Sequence, residues 1–265
     1  MKTIRVGRSQ LEVQDTGTGP ALLFIHGVAT SGQLWAADLA QLSADFRLIV
    51  HNRRGYGASS SSPQNWAAHG DDAIALIEKL NAAPAVVIGY SAGAIVALHV
   101  VLKRPDLVAR LVLLDPAVNL KRCLTPGFLR TLAAVRLLRW LGRDRAAVTH
   151  WLHYVSSYST GGSAFAAAAE GRREQLLANS AGIFADLASD GGTIDENLFG
   201  NISVPVTIID AALSPPFLRR SSQRIRQLLP RARNLTLAHS GHWVALDARE
   251  DLLTILRDIE LETSA

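Results

Sequence analysis

Cysteine occurs once in the 265 residues, at Cys123, so the chain can build neither an intramolecular disulfide nor a thiolate metal cluster. Nothing then calls for an oxidising compartment, and a cytoplasmic setting is expected. Lysine is scarce too: four lysines stand beside 23 arginines, and these 27 basic residues exceed the 23 acidic ones by only four. The cluster Arg219, Arg220, Arg224, Arg226, Arg231 and Arg233 reads as a solvated helix face. Zinc-finger spacing and aromatic-basic interleaving are both missing, so no nucleic-acid partner is expected. Met1 to Asp15 lacks the apolar centre of a signal peptide, which predicts an unsecreted chain. Charge is almost absent from Ala85 to Leu102, a run that hydropathy alone would read as a membrane helix. Its middle, Gly89-Tyr90-Ser91-Ala92-Gly93, instead suits a buried strand turning sharply into a buried helix, and no membrane partner is expected.

Apolar residues make up 48% and charged residues 19%, which is globular usage and far from the signature of disorder. Thr3 to Val6 and Gln10 to Asp15 read as a hairpin. Short apolar runs suited to strands buried on both faces follow at Ala21 to His26, Phe46 to His51, Ala85 to Tyr90, Leu111 to Leu114 and Val204 to Ile209. Helical patterns lie between them at Gln33 to Ser43, Asn65 to Leu80 and Ala92 to Arg104, the last stopped by Pro105. Strands alternating with helices predict an α/β fold: a mostly parallel sheet with helices on both faces. The alternation stops over residues 119–200, which read as an inserted helical cap between core segments 1–118 and 201–265. The cap helices are expected at Phe128 to Leu141, Arg145 to Tyr158 and Gly171 to Ala188, closed by Gly191-Gly192. Ser59 to Ser62 reads as a short polar loop.

Gly89-x-Ser91-x-Gly93 between an apolar strand and an apolar helix has the context of a nucleophile elbow. A serine hydroxyl there is held on a strained turn, beside the free N–H groups of a helix N-terminus that favour a developing oxyanion. Serine needs a base, and His242 is the leading candidate, placed in Ser240-Gly241-His242-Trp243 just after the expected last strand, Asn234 to Ala238. His239 is the alternative, while His99, His150 and His153 read as structural or surface groups.

Taken in order, His26-Gly27, Arg53-Arg54-Gly55-Tyr56-Gly57-Ala58-Ser59, Gly89-Tyr90-Ser91-Ala92-Gly93 and Gly241-His242 make the chain resemble the α/β-hydrolase family over nearly its full length. The resemblance implies that the residues following the His-Gly pair and the nucleophile, Val28 and Ala92, supply oxyanion-hole N–H groups. It also exposes a departure. Most relatives place an aspartate in the loop after the seventh strand, where this chain carries Ser214. A serine cannot supply the charge that orients and stabilises the histidine. Asp115, directly after the sixth strand, is the preferred acid, with Asp210 at the end of the seventh as the alternative.

Within that family the chain is similar to the zearalenone-type lactonases, whose acid follows the sixth strand at the same spacing from the nucleophile. That resemblance sets Phe184 where those enzymes carry a substrate-contacting tryptophan. Gly27, Trp151, Tyr154 and Phe184 are therefore the candidate substrate contacts, although helical spacing lets the cap aromatics simply pack. The expected activity is hydrolysis of a hydrophobic small-molecule ester or lactone through an acyl-enzyme, with no cofactor and no metal. A carbon-carbon hydrolase, a thioesterase or a weakly catalytic binding protein would share the constellation. The serine disfavours haloalkane dehalogenase and epoxide hydrolase chemistry, which uses aspartate at that turn.

Overall fold

The computed structural model describes residues 1–7, 9–60, 65–189 and 192–261. The expected hairpin is present as β1 (Lys2–Val6) and β2 (Ser9–Thr16), paired antiparallel with Thr3 opposite Glu12. β3 (Ala21–Ile25) is buried at every position and is followed by α1 (Gly32–Asp38) and β4 (Arg47–His51). α2 (Trp66–Lys79), β5 (Ala85–Tyr90), α3 (Gly93–Lys103) and β6 (Val108–Leu114) continue the alternation. Five helices then run without a strand: α4 (Pro126–Trp140), α5 (Asp144–Val155), α6 (Ala164–Ala167), α7 (Glu170–Leu177) and α8 (Ser180–Ala188). β7 (Val206–Ala211), α9 (Pro216–Leu228), β8 (Arg233–Leu237), α10 (Val244–Asp247) and α11 (Arg249–Leu261) complete the chain.

The eight strands form one sheet in the order β1-β2-β4-β3-β5-β6-β7-β8. β2 joins β4 antiparallel, and every pairing from β4 through β3 to β8 is parallel. Alternate residues of the central strands feed opposite faces, as the two-residue period of a strand requires. Leu23, Ile25 and Val87 pack on one side with residues of α2 and α3. Leu22, Phe24, Val86 and Ile88 pack on the other with Trp35 of α1 and Leu252, Leu253 and Leu256 of α11. A separate apolar cluster fills the cap and seats it on the core. The chain leaves β3 towards β4 on one side and β5 on the other, so a crevice opens at the carboxyl ends of β3 and β5, where α/β sheets gather ligands.

Local chemistry explains several helix starts. Ser31, Asn65 and Thr125 each accept a hydrogen bond from an N–H of the first turn of α1, α2 and α4. The cap differs from the expected pattern at Gly171 to Ala188, which is two helices rather than one. Asn179 interrupts them, and its side-chain amide donates to the Ala29 carbonyl of the core at 2.9 Å. The first predicted helix also stops early, since the chain tightens into a 3₁₀ turn over Ala40–Ala44. Gly191, and Ser61 and Ser62 of the predicted polar loop, lie outside the described residues. No helix among the described residues is long and apolar enough to cross a membrane.

Candidate active site

β5 ends at Tyr90 and α3 begins at Gly93, leaving Ser91 on a two-residue turn with φ of 54°, in the left-handed region that a side chain rarely adopts. Close packing keeps the turn tight. A Cβ on Gly89 would meet the Ala94 backbone at 2.7 Å, and one on Gly93 would meet the Ile25 carbonyl oxygen at 2.2 Å. Gly27, in the loop after β3, lies against the same serine: a Cβ there would stand 2.7 Å from Ser91 Cβ and 3.2 Å from its Oγ.

Ser91 Oγ lies 2.9 Å from His242 Nε2, and His242 Nδ1 lies 2.6 Å from Asp115 Oδ2. All three side chains are buried. The carboxylate dictates the tautomer: Nδ1–H donates to Asp115, which leaves Nε2 free to accept the Ser91 proton. Asp115 also sits at positive φ, 42°. Its Oδ2 accepts from Ser214 Oγ at 2.6 Å and its Oδ1 from the Ala211 N–H at 3.2 Å, so both oxygens are engaged. Asp210 is elsewhere, ion-paired with Arg226 of α9. His239 is exposed, and half-buried His99 packs between α3 and α2, 3.5 Å from Asp71.

The loop carrying His242 is braced by Tyr90 and Asp247, which the sequence does not single out, and by Tyr158, a cap aromatic expected to line a pocket or to pack. Tyr90 stacks on the imidazole at a centroid distance of 5.0 Å, and its hydroxyl donates to the His242 carbonyl at 2.7 Å. Burial pushes the Tyr90 hydroxyl well above its ordinary range, so it remains a donor. Asp247 accepts from the Gly241 N–H at 2.8 Å and from the Tyr158 hydroxyl at 2.7 Å. Only a side-chain-resolved fold reveals such braces, since tyrosine and aspartate carry no motif here.

Among the described residues the backbone N–H groups of Val28 and Ala92 meet no acceptor, and both line the cavity onto which Ser91 opens. That cavity has a volume of about 320 Å³ and is mostly apolar. Trp151 lines it; Tyr154 and Phe184 do not. Tyr154 stands behind the wall, its ring stacked on Phe217 at 5.6 Å. Phe184 is buried in the cap with the Arg139 guanidinium 4.0 Å above its ring. Trp66, Phe128 and Phe217 are the aromatic wall residues that helical spacing did not disclose, because α2, α4 and α9 come together around the cavity only in the tertiary fold. Among the described residues no group of histidines, cysteines or carboxylates is arranged to hold a metal ion.

A parallel sheet with its serine at a strand-to-helix elbow defines a class of hydrolase, and the sequence agrees with the class. Residues 20–248 match the family model of the α/β-hydrolase fold, so the chain belongs to the α/β-hydrolase family. It is 28% identical over 262 residues to BpoC of Mycobacterium tuberculosis, named as a non-heme bromoperoxidase, covering 88% of this chain and 90% of that one. It is 32% identical over 116 residues to the 2-(acetamidomethylene)succinate hydrolase of Mesorhizobium japonicum, a match that spans 43% of this chain and 42% of that enzyme. A thermophilic esterase from Thermogutta terrifontis superposes with a TM-score of 0.80 at 20% identity over the whole of both chains, which bears on the fold alone. A nearer similarity to zearalenone-type lactonases is not shown by these relatives, which are named as a bromoperoxidase, a succinate-derivative hydrolase and an esterase.

Proposed function

We propose that the protein is a cofactor-independent serine hydrolase that cleaves a carboxylic ester or lactone of a small, largely apolar substrate through an acyl-enzyme. The observation that carries this reading is the buried chain of hydrogen bonds from Asp115 through His242 to Ser91, ending on an apolar cavity. His242 takes the Ser91 proton as Oγ attacks the substrate carbonyl, and Asp115 stabilises the imidazolium so formed. The tetrahedral oxyanion is received by the N–H groups of Val28 and Ala92, at a helix N-terminus whose dipole favours negative charge. The imidazolium then protonates the departing alkoxide, and His242 activates a water to release the acid.

Lactone cleavage is the finer form of the reading, and the position of the acid after β6 is what favours it. A panel of p-nitrophenyl esters, aliphatic lactones and macrolactones decides between the forms. Labelling with a fluorophosphonate tests the reading as a whole. Stoichiometric modification of Ser91 that is lost in His242→Ala is expected. A folded protein that is neither labelled nor active on any member of the panel would be a binding protein of this fold.

A further inference from the structure

Arg53 is the bulkiest side chain wholly inside the described protein, and the mechanism above does not use it. Its guanidinium donates to the His26 carbonyl at 3.1 Å and the Gly27 carbonyl at 3.1 Å, and forms a two-pronged pair with Asp186 of α8 at 2.6 and 3.2 Å. Tyr56 adds a hydrogen bond to the same Asp186 oxygen at 2.6 Å. His26 completes the arrangement. Its Nε2 accepts from the Arg53 backbone N–H at 2.9 Å, which leaves Nδ1–H to donate to the Gly27 carbonyl at 2.8 Å. Burial and the neighbouring guanidinium hold His26 neutral, as that tautomer requires.

The Gly27 carbonyl thus receives two donors from one side. The Gly27–Val28 peptide is trans, so the Val28 N–H lies on the opposite edge of the same rigid plane. That N–H has no acceptor among the described residues, and the plane it belongs to abuts Ser91. A buried ion pair gives little net stability compared with apolar packing, so folding alone is a weak reason for this one. A cation on the carbonyl oxygen draws density from the amide and strengthens its N–H as a donor, and a fixed plane needs no reorganisation when charge develops.

We propose that Arg53 is a positioning residue for the oxyanion hole, holding and polarising the Gly27–Val28 peptide, and that Asp186 makes this grip depend on the docked cap. The proposal rests on the serine-hydrolase reading, in which Val28 N–H receives the oxyanion. A purely structural cross-link between core and cap would predict different kinetics.

Arg53→Met, Arg53→Lys and Asp186→Asn, each checked for folding by circular dichroism, separate the two. Each is assayed on a p-nitrophenyl ester and titrated with an aryl trifluoromethyl ketone, whose serine adduct places an oxyanion in the hole, and with the matching methyl ketone, which forms no such adduct. Arg53→Met should lower kcat by about 100-fold with KM little changed, the scale of losing one oxyanion donor. Affinity for the trifluoromethyl ketone should fall in parallel and that for the methyl ketone should hold. Arg53→Lys should fall between, and Asp186→Asn should show the same pattern at smaller size. If Arg53→Met does not fold, the other two variants carry the comparison. Unchanged kcat in the folded variants, or equal weakening of both ketones, overturns the proposal. An unlabelled wild-type protein overturns the hydrolase reading with it, whereas a labelled wild type with indifferent variants overturns the Arg53 role alone.

Discussion

Ser214 donates a 2.6 Å hydrogen bond to the Asp115 oxygen that also receives His242. Asp115 directly follows β6 and Ser214 lies in the turn after β7, so a side chain of the neighbouring strand's loop supports the carboxylate. Three donors converge on Asp115 from the loop after β8, from the turn after β7 and from the end of β7 itself. Such an arrangement fixes the carboxylate against the imidazole that it orients.

Replacing the carboxylate should therefore be costly. Asp115→Asn keeps the volume and removes the charge, and kcat should fall by about four orders of magnitude. Asp210→Asn should have a small effect, because Asp210 is paired with Arg226 and makes no contact with His242. Steady-state kinetics on one ester after circular dichroism makes the comparison. A dead Asp210→Asn beside an active Asp115→Asn would return the acid to the seventh strand.

Ser91→Ala removes one hydroxyl and little volume from a turn whose strain Ala would share. Turnover should drop by about 10⁶-fold with the fold unchanged, as losing a nucleophile does elsewhere. Purified alanine variant working at the wild-type rate would remove Ser91 from the mechanism.

Gly27→Ala introduces a Cβ 2.7 Å from Ser91 Cβ and 3.0 Å from the Tyr90 carbonyl oxygen. Either the serine or the loop bearing Val28 must move, so activity should suffer far more than stability. Comparing kcat with the urea midpoint checks this. A variant with full activity would mean that the loop can yield without cost.

The cap aromatics should separate into two kinds. Trp151 lines the cavity, so Trp151→Ala should alter relative rates across an ester and lactone panel. Phe184 is buried away from it, so Phe184→Ala should leave those ratios alone and cost roughly 3–5 kcal/mol of stability. Reversed outcomes would mean that the cavity, which Asp186 and Leu187 of α8 already line, reaches Phe184 in the substrate-bound enzyme.

Acid should unfold the protein through its buried histidines. Burial, with a lesser push from the Arg53 charge, lowers His51 to about 4 and His69 to about 2. Neither ring nitrogen of His51 has a hydrogen-bond partner among the described residues. Because these folded-state values lie below the unfolded one, the unfolded chain binds the protons first. Their stabilising effect is complete above about pH 6.5 and is lost as pH falls towards 4, at up to about 1.4 kcal/mol per pH unit for each histidine. Urea unfolding between pH 7 and 4 should show this slope, and His51→Leu should make it shallower. An unchanged slope in that variant would place the acid sensitivity elsewhere.

The hydrophobic pattern alone determined the α/β class and all eight strands to within a few residues, because a strand buried on both faces and an amphipathic or wholly buried helix leave different periods in the chain. It also marked Ser91, since the elbow is a local structure whose glycines and serine are neighbours in sequence. Asp115 could be named but not chosen over Asp210: both end adjacent strands, and which side chain turns towards His242 depends on the twist and register of the sheet. The cap was legible as helix and illegible as a surface. Trp151, Tyr154 and Phe184 look alike by spacing, and only the crossing of α4, α5, α8 and α9 decides which ring faces the cavity. Arg53 and Asp186 lie 133 residues apart. No local signal joins them, because a buried ion pair between core and cap is made by packing two distant segments that each, read alone, carry an ordinary surface charge.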